Sequence, residues 1–222
     1  MMSELRTGRE GPARGTAQRL VIFLHGYGAD GADLLGLAGP LAPHLPDTAF
    51  LAPDAPERSA LNPMGYQWFP IPWIDGSSEA EAAAGMARAV EALNRFLDEV
   101  IEEEGVSAGN IALVGFSQGT MMALHVAPRR PEPVAAIVGF SGRLLAPERL
   151  AAEALSKPPV LLVHGDADEM VPVAALPEAE RALRAAGFSV ATHVSRGTGH
   201  GIAPDGLGLA VGFLRQMFGI EG

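Results

Sequence analysis

The chain is predicted to be α/β, with a mostly parallel central sheet covered by helices on both faces. Two observations predict this. Short apolar runs rich in β-branched residues alternate along the chain with longer segments whose apolar residues recur at helical spacing. In residues 110–127, one such run passes through a glycine-flanked turn directly into a helical segment. With 48% of the 222 residues hydrophobic, a sizeable core is available. The length is ordinary for one sheet flanked by helices, so a single domain over residues 1–222 is expected.

In chain order, residues 1–18 are the poorest match to a regular pattern, and one or two short or frayed antiparallel edge strands are expected there. Strands are predicted at 19–25, 48–53, 110–115, 133–140, 159–164 and 189–194. Helices are predicted at 79–103, 118–127, 176–186 and 205–218. The first helix carries Met86, Val90, Leu93, Phe96, Leu97, Val100 and Ile101 as a stripe that should face the sheet. It ends in Glu102-Glu103-Glu104, read as a solvated helix terminus. The second helix meets no breaker until Pro128.

Between Pro56 and Ser78 lies a long connection holding both tryptophans, Trp68 and Trp73, beside Phe69. Loops of this length in compact domains are usually functional or disordered, and this one is too apolar and aromatic for disorder. It is expected to fold over the functional site as a pocket wall, with Trp68, Phe69 and Trp73 contacting what binds there. The alternative is a satellite core packed on the sheet edge.

Gly115-Phe116-Ser117-Gln118-Gly119 is the most informative stretch. A serine at a strand-to-helix turn sits in a strained backbone that presents its hydroxyl outward, and flanking glycines let strand and helix pass closely. The helix N-terminus adds unpaired N–H groups and a positive dipole end, suited to an oxyanion. Such a serine needs a base, and the base an orienting acid. After the predicted strand at 159–164 comes Asp166-Ala167-Asp168-Glu169, and after that at 189–194 comes the glycine-cushioned His200. His200 is therefore the candidate base. His25, His44, His125, His164 and His193 fall in strands, a helix or a proline-bounded loop and compete poorly. Asp168 and Asp166 are both candidate acids, since either can instead cap the turn through backbone N–H groups; Glu169 is a third.

The segments Phe23-Leu24-His25-Gly26-Tyr27-Gly28-Ala29-Asp30, Ala52-Pro53-Asp54-Ala55-Pro56, Gln67-Trp68-Phe69, the serine pentapeptide, His164-Gly165-Asp166-Ala167-Asp168 with Val171-Pro172, and Gly199-His200-Gly201 resemble the carboxylesterase/phospholipase branch of the α/β-hydrolases. That branch includes bacterial carboxylesterases and acyl-protein thioesterases, and the resemblance runs from about Leu20 to the C-terminus. It implies the α/β-hydrolase fold and selects Asp168 as the acid. It also implies an oxyanion hole at the backbone N–H groups of Leu24 and Gln118. The expected activity is hydrolysis of carboxylic esters of short to medium acyl chain through an acyl-enzyme on Ser117, with acyl-thioesters or lysophospholipids as the alternative. A non-catalytic binding module is the remaining reading.

Composition narrows the partners. A formal charge of −10 disfavours nucleic acid and anionic membranes. With no cysteine there is no disulfide, thiolate metal site or thiol nucleophile. No metal-binding spacing, P-loop or dinucleotide fingerprint is present, so no cofactor and no metal are expected. Residues 1–17 lack the apolar stretch of a signal peptide, and no run approaches the ~20 apolar residues of a membrane span. A cytoplasmic protein without stable membrane insertion is expected. Trp73 and Ile74, if exposed, would suit a homodimer patch.

Overall fold

The computed structural model describes residues 5–221. Nine strands are found among them: β1 (Thr7–Glu10), β2 (Arg19–Leu24), β3 (Thr48–Pro53), β4 (Glu57–Arg58), β5 (Tyr66–Gln67), β6 (Ile111–Phe116), β7 (Ala136–Phe140), β8 (Val160–Gly165) and β9 (Val190–Ser195). The helices are α1 (Gly31–Leu35), α2 (Ala38–Leu41), α3 (Pro72–Asp75), α4 (Glu79–Glu104), α5 (Gln118–Val126), α6 (Pro147–Glu153), α7 (Ala175–Ala185) and α8 (Pro204–Met217). A seven-stranded sheet runs in the order β1-β3-β2-β6-β7-β8-β9, while β4 and β5 form a separate hairpin. Within the seven-stranded sheet only β1 is antiparallel to its neighbour, pairing Thr7 with Pro53 through Glu10 with Phe50. It is the short edge strand expected near the N-terminus; residues 1–4 of that segment lie outside the described residues.

Both faces of the inner strands β2, β3, β6, β7 and β8 are buried, which is why they read as continuous apolar runs instead of alternating ones. In β2, Leu20, Ile22 and Leu24 pack on the side of α4, α5 and α7. Val21 and Phe23 pack on the other side with Leu34, Leu41 and Leu214 of α1, α2 and α8. Of the predicted stripe on α4, Leu93, Phe96, Leu97 and Val100 are buried, and Met86, Val90 and Ile101 pack partly buried against the same core. Ser78 and Glu81 close a capping box at the start of α4, and Gly105, at φ +66°, ends it in the left-handed region.

Two local expectations are corrected. β7 begins at Ala136 and not at 133, since Pro133 has no N–H to give a ladder. Glu104 is not solvated: it is buried, paired with the Arg9 guanidinium and accepts the Gly15 N–H at 2.9 Å. Burial alone would raise its carboxyl, but Arg9 and the Gly15 N–H outweigh this and hold it below the usual range. The end of α4 is thereby tied to the N-terminal segment.

Candidate active site

Ser117 stands between β6 and α5 with φ +53° and ψ −114°, a strained conformation for a residue with a Cβ. The glycines on either side of it leave no room for a side chain. A Cβ on Gly119 would lie 1.8 Å from the Leu24 carbonyl oxygen, and one on Gly115 would lie 2.5 Å from the Gly119 carbonyl carbon. The Ser117 N–H donates to the Phe140 carbonyl at 2.9 Å. The Thr120 hydroxyl lies within hydrogen-bond distance of the Gly115 and Phe140 carbonyls, at 2.8 and 2.9 Å. The turn is thus bolted to the end of the neighbouring strand β7.

His200, in the loop between β9 and α8, places Nδ1 2.8 Å from Oδ2 of Asp168. A carboxylate only accepts, so Nδ1 carries the proton and Nε2 is left as the basic nitrogen. Asp168 is 8% exposed, and its Oδ1 accepts the N–H groups of Met170 and Val171, both at 2.9 Å. Burial pushes its carboxyl up, but the bonds from His200, Val171 and Met170 outweigh that and hold it below the usual range. Asp166 is exposed and instead accepts the Gly197 N–H at 2.6 Å. Of the two aspartates, only Asp168 touches His200. Behind it, His164 is buried, its Nε2 2.8 Å from the Val171 carbonyl oxygen and 3.4 Å from Asp168 Oδ2.

Ser117 and His200 line one cavity of about 530 Å³ at the carboxyl ends of the strands, where open parallel sheets bind ligands. The Phe116 ring packs at 4.8 Å, centroid to centroid, from the His200 imidazole. Gly26, Tyr27 and Gly28 of the loop after β2 form another part of the wall. That loop is held by His25, which is fully buried. Its Nδ1 bonds the Gly26 carbonyl at 2.7 Å, and its Nε2 accepts the Ala55 N–H at 2.9 Å. Burial pushes the His25 imidazole down, which keeps it neutral and structural.

Leu24, expected to offer an oxyanion N–H, is instead the last residue of β2, fully buried and paired opposite Gly115. It does not line the cavity; Tyr27 does. Among the described residues the N–H of Tyr27 has no hydrogen-bond partner, and neither has that of Gln118, the first residue of α5. The Tyr27 hydroxyl donates to Asp75 at 3.0 Å, fixing this loop against α3.

The 56–78 connection also needs correction. Trp68 is fully buried, and its indole N–H donates to the His25 carbonyl at 3.0 Å. Phe69 is buried as well, and neither residue lines the cavity. The Gln118 side chain is responsible: its Oε1 accepts the Trp68 N–H at 2.8 Å and its Nε2 donates to the Phe69 carbonyl at 2.7 Å. This clamp holds the segment's backbone so that Trp68 turns into the core. Trp73 does line the cavity, at 70% exposure, with Ile71 and Ile74. Met121, Arg143 and Met170 also line it; no motif marked them in the sequence.

The parallel sheet and its strained strand–serine–helix turn define an α/β-hydrolase fold, with a serine and a histidine facing one cavity at the sheet's carboxyl edge. Residues 12–218 match the profile of the phospholipase/carboxylesterase family, and the chain belongs to that family of esterases and thioesterases. It is 29% identical over 200 residues to Esterase YpfH of Escherichia coli K12, covering 90% of this chain and 83% of that one. It is 27% identical over 222 residues to Acyl-protein thioesterase 1 of Gibberella zeae, covering 93% of each. The crystal structure of esterase PE8 superposes with a TM-score of 0.90 at 44% identity, covering 97% of this chain and 100% of that one.

Proposed function

We propose that the protein hydrolyses carboxylic esters through Ser117, His200 and Asp168. The observation that carries this is the 2.8 Å bond from His200 to the buried Asp168, with His200 and the strained Ser117 facing the same cavity. His200 Nε2 takes the Ser117 proton as the hydroxyl oxygen attacks the ester carbonyl. Asp168 holds the imidazole in that tautomer and stabilises the imidazolium. The N–H groups of Gln118 and Tyr27, not Leu24, receive the oxyanion, aided by the dipole of α5. His200 then returns the proton to the leaving alcohol, giving an acyl ester on Ser117. Water, activated by the same imidazole, releases the acid and restores the serine.

The cavity's size and apolar walls support short to medium acyl chains. Leu61, Trp73 and Met170, all more than 60% exposed at its edge, favour longer acyl chains as a second reading, which fits the similarity to acyl-protein thioesterase. Among the described residues no helix is long and apolar enough to cross a membrane, and a cytoplasmic location remains part of this reading. The test is hydrolysis of p-nitrophenyl esters from acetate to palmitate by the wild type beside Ser117→Ala. Turnover that peaks at short or medium chains and vanishes in the variant is expected. Equal turnover by both proteins would overturn the assignment of Ser117, and a peak at palmitate would select the second reading.

A further inference from the structure

Arg143 leaves the end of β7 through Ser141 and Gly142. Ser141 is buried and holds φ +47°, the left-handed region a side chain rarely adopts. A Cβ on Gly142 would lie 2.4 Å from Thr120 Cβ and 2.9 Å from the Ser117 carbonyl oxygen. The segment is therefore pressed against the serine turn and delivers Arg143 to the cavity wall at a fixed place relative to Ser117.

Among the described residues Arg143 is the only lysine, arginine, aspartate or glutamate in that wall. Asp75 lies behind Tyr27, its carboxylate taken up by the Tyr27 hydroxyl and the N–H groups of Ile71 and Ser77. Asp168 is occupied by His200 and two backbone N–H groups. Most arginines of this chain are engaged, for example Arg9, Arg88, Arg129, Arg130 and Arg184 with carboxylates. Arg143 has no ion pair, hydrogen bond or ring contact among the described residues. In a chain of formal charge −10, an unpaired guanidinium in an otherwise uncharged, largely apolar cavity is a local exception to the field that anions meet elsewhere.

Resting on the esterase reading above, we propose that Arg143 is a specificity-determining residue. It makes the cavity selective for esters that carry an anionic oxygen group, a carboxylate or a phosphate, apart from the ester being cleaved. The guanidinium receives that group through charge-assisted, bidentate hydrogen bonds, while Ser117 attacks the ester as before. Water is the only co-reactant, and the products are an acid and an alcohol, one of them retaining the anion.

The experiment compares kcat/KM for matched anionic and neutral esters. One pair is the mono-p-nitrophenyl ester of glutaric acid against p-nitrophenyl butyrate. The other is monobutyryl glycerol phosphate against monobutyrylglycerol. Wild type, Arg143→Met and Arg143→Lys are measured at low and raised salt. The expected result is a fall in the anionic-to-neutral ratio by about tenfold or more in Arg143→Met, with partial recovery in Arg143→Lys. Added salt should lower the ratio in the wild type and in Arg143→Lys but not in Arg143→Met. Whichever pair shows the larger effect identifies the source of the anion. A purely structural role would lower both members of a pair alike, and an unchanged ratio in Arg143→Met overturns the proposal. If the wild type hydrolyses none of the four esters, the esterase reading itself has failed, which is a distinguishable result.

Discussion

Replacing Gln118 with methionine tests whether the residue after the serine acts through its side chain as well as its backbone. The Gln118 side chain is fully buried and bridges the Trp68 N–H and the Phe69 carbonyl. Methionine keeps the length and volume but removes both bonds, leaving a buried donor and a buried acceptor without partners. Each such orphan costs about 1–3 kcal/mol, partly offset by the more apolar side chain, so a net loss of about 3 kcal/mol is expected. For a chain of this size that lowers Tm by about 6–12 °C. The backbone N–H of residue 118 survives, so the proposed oxyanion donor is retained. Activity should therefore fall far less than in Ser117→Ala, chiefly through loosening of the 66–74 segment that carries Trp73 into the wall. Thermal unfolding by circular dichroism and kcat/KM on p-nitrophenyl butyrate read the two effects separately. A Tm within about 1 °C of wild type would refute the clamp. A wild-type Tm with activity as low as Ser117→Ala would place the side chain in the chemistry instead.

Three further outcomes follow from packing and charge. Gly119→Ala should fail to yield folded protein, because its Cβ would meet the Leu24 carbonyl oxygen at 1.8 Å. Gly212→Ala on α8 meets nothing within 4 Å and should gain about 0.5–1 kcal/mol; expression yield and urea midpoints check both. Burial, helped by Arg129, pushes the His125 imidazole from 6.5 down to about 4. The unfolded chain therefore takes up this proton first, and stability is lost as pH falls from about 6.5 toward about 4. Discounted for its partial exposure, the loss is about 1–2 kcal/mol. Urea midpoints should fall more between about pH 7 and pH 4.5 for wild type than for His125→Gln, and parallel falls would refute the assignment.

What could be read from the sequence follows the range over which each interaction acts. The cores of β2, β3, β6 and β8 were legible because strands buried on both faces must be continuously apolar, and a run such as Leu20-Val21-Ile22-Phe23-Leu24 admits little else. The helices α1, α2, α3 and α6 were not, since one or two turns are too short to show a period. Glu104 was misread because its partner Arg9 lies 95 residues away, and a run of three glutamates looks solvated from its own neighbours. Trp68 and Trp73 illustrate the same limit. Both sit in one aromatic stretch, and only the Gln118 clamp, 50 residues downstream of Trp68, turns one into the core and leaves the other at the cavity. The meeting of His200 with Asp168 was anticipated from chain order and resemblance. That Tyr27 and not Leu24 reaches the cavity wall was not, because the loop's entry into the cavity depends on His25 bonding across to Ala55.

The cavity wall owes its geometry to a relay along the carboxyl edge of the sheet. The Ser117 N–H bonds the Phe140 carbonyl, the Ser141 N–H bonds the Val163 carbonyl, and the Asp166 N–H bonds the Ser195 carbonyl. Each strand end thus leans on the next, from β6 through β7 and β8 to β9. Ser117 and Ser141, both at positive φ, are the first residues beyond two adjacent strands of that relay. A strained residue relaxes unless its surroundings over-determine it, and here a backbone bond to the neighbouring strand holds each, with Gly26 and Gly142 packed closely against Ser117. Ser117 and Arg143 are accordingly fixed by the same sheet edge, whereas Leu61 and Trp73 come from a connection held at a few points such as Gln118 and Asp75. Substitutions in that connection should alter which acyl chains are accepted, while substitutions along the relay should alter whether the reaction proceeds at all.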